Sequence, residues 1–192
     1  MYRRLLVVAV LMIGVGVGAC RREAPEPPAP PPAEERGPDL DSLRAYEDSV
    51  RAAREAEERA RAERERAIAD ARAILERRVH FDFDESAIRP DAATVLRQKV
   101  DILRASPDVR LRLEGHTDER GSAEYNQALG SRRAQAVLDF FLDAGLPADR
   151  FVTTSYGEER PLVSASTEDA WAQNRRVEFV ITAGAASINP PE

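Results

Sequence analysis

Apolar and polar positions follow four different rhythms along the chain. Leu5 to Ala19 (LLVVAVLMIGVGVGA) is unbroken apolar sequence. Residues 24–38 (APEPPAPPPAEERGP) have no hydrophobic rhythm and contain seven prolines. Proline lacks the donor that helices and sheets need, so this stretch reads as a semi-rigid polyproline linker. Residues 39–78 are dense in Arg, Glu and Ala, with neither glycine nor proline, which predicts one long helix. From residue 79 the period alternates between two and about 3.6, the mark of strands interleaved with helices.

Within 79–182 the elements can be placed. Val79–Asp84 predicts a half-buried strand with Val79, Phe81 and Phe83 on one face. Pro90 opens a helix to about Ala105, with Ala92, Val95, Leu96, Val100 and Leu103 on one stripe, and Ser106-Pro107-Asp108 breaks it. Val109–Gly115 predicts a strand with Val109, Leu111 and Leu113 inward and Arg110, Arg112 and Glu114 outward. A polar loop, His116–Ser122, leads to a helix that runs to about Ala144 and stops at Gly145. Phe151–Tyr156 and Arg176–Thr182 are further strands, flanking a short helix at Glu168–Arg175 that Thr167 can cap. The expected fold is a two-layer α/β (α+β) sandwich: a mixed four-stranded sheet, two long helices and one short one, preceded by the charged helix. The tail, 183–192, is expected to be disordered.

Composition removes several classes of function. Of the residues, 43% are apolar, but the leader holds much of that share. The net charge is −6 and Lys99 is the only lysine, so there is no electrostatic footprint for nucleic acid. One cysteine excludes an intramolecular disulfide framework or a thiolate metal cluster. Two histidines, His80 and His116, leave little for a histidine-based metal site, and no cofactor is expected.

The leader has the charged start, short apolar core and small-residue site of a secretory signal. It is too short for a hydrocarbon core, which takes about 20 residues, although an uncleaved anchor is the other reading. Val17-Gly18-Ala19-Cys20 resembles a bacterial lipobox. That resemblance implies a signal peptide at 1–19, acylation of Cys20 as the mature N-terminus, and anchoring through several acyl chains. Arg21, where some sorted lipoproteins have Asp, then implies the outer membrane, with the protein facing the periplasm.

Residues 20–38 and 39–78 would form a two-part spacer. Oppositely charged i,i+4 pairs recur in the second part, among them Glu47–Arg51, Glu55–Arg59 and Arg61–Glu65. The possible coiled-coil seam, through Leu43, Val50, Glu57, Arg64 and Ala71, is half charged or small. A solvated single helix of roughly 60 Å is therefore expected, with an oligomeric coiled coil as the alternative.

The long helix after the polar loop contains an anomaly. Its apolar stripe is Leu129, Ala136, Val137, Phe140 and Ala144, yet Arg133 and Asn126 fall inside it, while Arg132 falls outside. An inward guanidinium keeps its charge and needs an anion or acceptors. Asp118, in the preceding loop, where Gly115 and Gly121 allow tight backbone turns on either side, offers two readings. One is an internal Asp118–Arg133 ion pair. The other is a pair of opposite charges facing a cleft, ready for a zwitterionic ligand. His116, Asp118 and Ser122 crowd into one turn without the geometry of a base and nucleophile, so an enzyme is not expected. Arg175 and Arg176 read as structural bridges.

FDFDESAIRP (81–90), LEGHTDERGSAEYNQALGSRRAQAV (113–137), SYGEERP (155–161) and NRRVEFVI (174–181) together resemble the OmpA-like peptidoglycan-binding domain, in the version carried by peptidoglycan-associated lipoproteins. The resemblance implies that Asp118 and Arg133 clasp the ammonium and carboxylate of diaminopimelate in the peptidoglycan stem peptide. It also implies that Phe83, Asp84, Thr117, Asn126 and Leu129 line the site. Membership of the Tol–Pal system, with TolB and other Tol proteins as partners, follows from the same resemblance. The long Arg/Glu helix departs from that pattern and leaves open a related envelope lipoprotein acting mainly as a protein-interaction module or coiled-coil oligomer.

Overall fold

A computed structural model of the chain describes residues 39–191; segments 1–19 and 20–38, with Cys20, lie outside the described residues. Among the described residues no helix is long and apolar enough to cross a membrane. The chain divides into two units between Ala45 and Tyr46. The described part of the first opens helix α1 (Leu40–Glu76), where the Asp39 carboxylate accepts from the Asp41 amide and the Ser42 hydroxyl. The second unit carries the rest of α1, the sheet and the remaining helices.

Most of α1 stays in solvent, as its composition demands. Of the expected pairs, Glu55–Arg59 (3.7 Å) and Arg61–Glu65 (2.9 Å) form, whereas Arg51 turns to Asp48 instead (3.0 Å). The last turns of α1 behave differently. Ala71 and Leu75 are buried, flanked by Ile68 and Ile74, so the helix end belongs to the hydrophobic core rather than to a spacer. Helix termini leave carbonyls unpaired. Here Lys99 of α2 (Pro90–Ala105) donates to those of Ile74 (2.7 Å) and Leu75 (2.6 Å).

The sheet has the order β1–β4–β2–β3. Strand β2 (Arg110–His116) is central, antiparallel to β4 (Arg176–Ala183) and parallel to β3 (Phe151–Gly157), and β1 (Val79–His80) pairs antiparallel with β4. The mixed sheet and its helices form the expected two-layer fold. Leu111 and Leu113 point to the core, with Val177 and Phe179 of β4, Leu96 and Leu103 of α2, and Val137 and Phe141 of α3 (Ala123–Asp143). Helix α4 (Glu168–Asn174) is capped by Thr167, whose hydroxyl accepts from the Ala170 amide.

Other expectations need correction. The first strand does not continue to Asp84: Phe81 is still buried, but Asp84 adopts φ 56° and Phe83 emerges 55% exposed. The buried stripe of α3 is rotated, so that Ala134 and Phe141 are inside while Ala136, Phe140 and Ala144 are half-buried. Glu114, placed outward by alternation, is buried because charged side chains cover that sheet face. Nor is the tail free. It forms a short 3₁₀ turn at Ala185–Ser187, buries Ile188 in the core, and bonds to Ser106 through Asn189.

Gly115 and Gly130 set the spacing that matters for the site. A Cβ on Gly115 would lie 1.9 Å from the Gly130 carbonyl oxygen, so both residues must lack one for α3 to lie this close to β2. Gly115 therefore serves close approach rather than a turn; the turn is at Gly121, with φ 114°.

Candidate functional site

That close approach holds the first half of α3 over the end of β2. Tyr125, Leu129 and Arg133 recur every four residues on one helix face, with Asn126 beside them. The turn after β1 brings Phe83 and Asp84 to the same place, and the loop after β2 adds Thr117, Asp118, Arg120 and Gly121. Together these residues line a cavity of about 170 Å³. All seven cavity residues expected from the sequence are thus gathered at one site. Phe83, which alternation also allowed as core, is exposed there.

Arg133 is wholly buried, and among the described residues no carboxylate pairs with it. Its Nε donates to the Glu85 carbonyl (2.8 Å), and its two terminal nitrogens donate to the carbonyls of His116 (2.9 Å) and Asp82 (3.0 Å). A guanidinium has five N–H donors, so two remain beyond these three bonds. Burial pushes its pKa down to about 10, opposed by the charge of Asp118, and it stays a cation at neutral pH.

The internal Asp118–Arg133 ion pair does not form. Asp118 instead receives Arg120, from Nε to Oδ1 (3.2 Å) and from a terminal nitrogen to Oδ2 (2.8 Å), and Arg175 at Oδ2 (3.3 Å). Burial pushes the Asp118 carboxyl up, but the hydrogen bonds from Arg120 and Arg175 outweigh it and hold the group below the ordinary carboxylate value. Nearby, Tyr125 donates its hydroxyl to Asp84, Asn126 donates to Glu158, and the buried Thr117 hydroxyl has no partner among the described residues. A cation with two uncommitted donors, a carboxylate and a hydroxyl without a partner among the described residues thus line one cavity and present both signs of charge to it.

Residues 80–175 match the OmpA family. The chain belongs to the OmpA family. It is 45% identical over 104 residues to a peptidoglycan-associated lipoprotein of Brucella melitensis, covering 54% of this chain and 62% of that relative, so the chain spans about six-tenths of that protein's length. Among solved structures, the peptidoglycan-associated lipoprotein of Burkholderia pseudomallei superposes with a TM-score of 0.54 at 37% identity, over 55% of this chain and 90% of that one. The C-terminal domain of Helicobacter pylori MotB reaches the same TM-score at 21% identity, over 58% and 88%, and shows a shared fold alone.

Of the other cavity residues, Gly121 is read from sequence only as a turn, and Arg120 and Tyr125 are not read as site residues at all. Tyr125 was legible from its i,i+4 spacing to Leu129 and Arg133. Arg120 was not, because a loop has no period to place it. Arg175 and Arg176 are bridges: Arg175 joins Asp118, Glu168 and the Phe81 carbonyl, and Arg176 pairs with Glu178 at 2.7 Å. His116 stacks on Tyr156 and Ser122 caps α3 through the Tyr125 amide, so neither activates the other. On the outer sheet face, ligand atoms of Glu114, His116 and Glu178 lie within 4.8 Å of one another. One oxygen of Glu114 is engaged by Arg112, and one of Glu178 by Arg78 and Arg176. These guanidinium charges oppose a cation there.

Proposed function

We propose that the protein is a non-enzymatic outer-membrane lipoprotein that holds peptidoglycan without covalent attachment, through the diaminopimelate of the stem peptide. One observation carries the reading: a fully buried guanidinium, fixed by three backbone carbonyls and free of any carboxylate partner, beside a cavity that it shares with Asp118. Diaminopimelate carries an ammonium and a carboxylate on one carbon. Arg133 would receive the carboxylate and Asp118 the ammonium, in charge-assisted bonds. Acyl chains on Cys20 would hold the membrane, with residues 24–67 as the tether. Many anchored copies facing a polymeric wall make a modest affinity per site sufficient. The likeness to the Brucella and Burkholderia peptidoglycan-associated lipoproteins supports wall binding. Membership of the Tol–Pal system, with TolB as a protein partner, belongs to the same proposal and rests on the sequence motifs at 81–90, 113–137, 155–161 and 174–181.

The test is co-sedimentation of the chain lacking residues 1–20 with diaminopimelate-type sacculi, because a shorter piece starting at Val79 would discard Ala71 and Leu75 of the core. The wild type is expected to pellet, and Asp118→Ala to remain in the supernatant while its circular dichroism is unchanged. If both pellet equally, the clasp is idle and a protein partner becomes the main ligand.

A further inference from the structure

The two arginines on Asp118 are held in different ways. Arg175 has only 8% of its side chain exposed and is fixed by Glu168 at 2.9 Å and the Phe81 carbonyl at 3.2 Å as well as by Asp118. Arg120 has 30% exposed and stands in the loop beside Gly121. Its guanidinium lies between two aromatic faces, 3.9 Å from the centre of Phe83 and 4.2 Å from that of Trp171. It has a carboxylate to either side: Asp118 at 2.8 Å and Glu168 at 3.5 Å. Aromatic faces attract a cation without fixing its position in the ring plane. The guanidinium is therefore confined by the rings and lies within reach of both carboxylates.

Arg120 also occupies the place that the proposed clasp assigns to the ligand. Its side chain bonds both Asp118 oxygens, beside its own backbone amide at Oδ1 (3.2 Å) and Arg175 at Oδ2 (3.3 Å). An incoming ammonium would meet an occupied acceptor and a like charge.

We propose that Arg120 is a built-in competitor for the ammonium half of the site, which a zwitterionic ligand displaces from Asp118 toward Glu168. This rests on the clasp proposed for diaminopimelate. Arg120 then sets how tightly the site holds its ligand, and Glu168 helps by receiving the displaced guanidinium. A ligand with a carboxylate but no ammonium would engage Arg133 and leave Arg120 in place.

Calorimetric titration of the chain lacking residues 1–20 with a soluble tripeptide ending in meso-diaminopimelate tests this. Arg120→Gln is expected to tighten binding about three- to five-fold, the scale of one part-exposed ion pair. Glu168→Gln is expected to weaken binding by a similar factor in the wild-type background and to have no effect once Arg120→Gln is present. A merely structural Glu168 would weaken both backgrounds alike. Weaker binding in Arg120→Gln would make Arg120 a ligand contact, and unchanged binding would mean that it does not leave Asp118; either overturns the proposal. Arg133→Ala serves as the separate control. If it binds as the wild type does, the reading of the cavity fails, whatever Arg120 does. If neither the wild type nor Arg120→Gln binds the tripeptide, both readings fall.

Discussion

Lys99 and Arg133 are both fully buried basic side chains, both held by main-chain carbonyls with no carboxylate in direct contact among the described residues, and both close to an aromatic face. Lys99 sits 3.7 Å from the centre of Phe179, and the Arg133 guanidinium 5.3 Å from that of Phe81. Their surroundings part at the donors left over. The Lys99 amine gives its donors to the end of α1 and has the Phe179 ring against it. Arg133 keeps two donors beyond its three carbonyl bonds and lines a cavity. The same device, a desolvated basic group on backbone oxygens, thus fastens a helix in one place and leaves a charge beside a cavity in the other. What separates structure from candidate function is the open coordination, not the burial.

Breaking the two sites separately sharpens that contrast. The largest expected effect is on binding. Arg133→Ala should weaken retention on sacculi at least 30-fold, since truncating one partner of a buried charge pair costs roughly 2–5 kcal/mol, while Lys99→Met should pellet like the wild type. Comparable retention by Arg133→Ala would erase the distinction.

A smaller effect is on stability against pH. Burial pushes the Lys99 amine down to about 6, with Arg77 adding to the shift and Glu76 opposing it. Between pH 6 and 10.5 the unfolded chain holds this proton and the folded chain does not, so the wild type gains stability as pH rises through that window. In Lys99→Met that component of the rise should vanish, which denaturant unfolding at several pH values would reveal.

The smallest concerns His116, which burial, aided by Arg176, lowers to about 4. Its contribution is present above pH 6.5 and is lost as pH falls toward 4, because only the unfolded chain takes up the proton. His116→Phe, which keeps a ring against Tyr156, should flatten that limb of the curve; an unchanged slope would assign acid sensitivity to other groups.

Much of the fold was readable because periodicity reports burial. Helix α2 lies at Pro90–Ala105, where the 3.6-residue stripe and Pro90 placed it, and Leu111 and Leu113 face inward as alternation requires. Periodicity misleads where the chain turns out of its element. Phe83 has the right parity for the core, but the left-handed backbone at Asp84 follows it and the ring emerges at the cavity. Composition misled at the tail, where Ile188 is one apolar residue among small and polar neighbours, yet meets a gap in the core.

By itself, the sequence determined the order of the elements, the charged character of α1 and the presence of an inward arginine on α3. Each depends on neighbours within a few residues, and local spacing records such relations. Only the tertiary structure decided what that arginine meets. Its three carbonyls, the two arginines on Asp118 and the ring sandwich around Arg120 come from segments far apart in the chain, and no local pattern encodes the distances between them. The same holds for Lys99, whose spacing places it near a core stripe but whose partners are 24 and 25 residues away at the end of another helix. A buried charge is visible in sequence as a breach of pattern; whether it is closed or open depends on the atoms that folding brings around it.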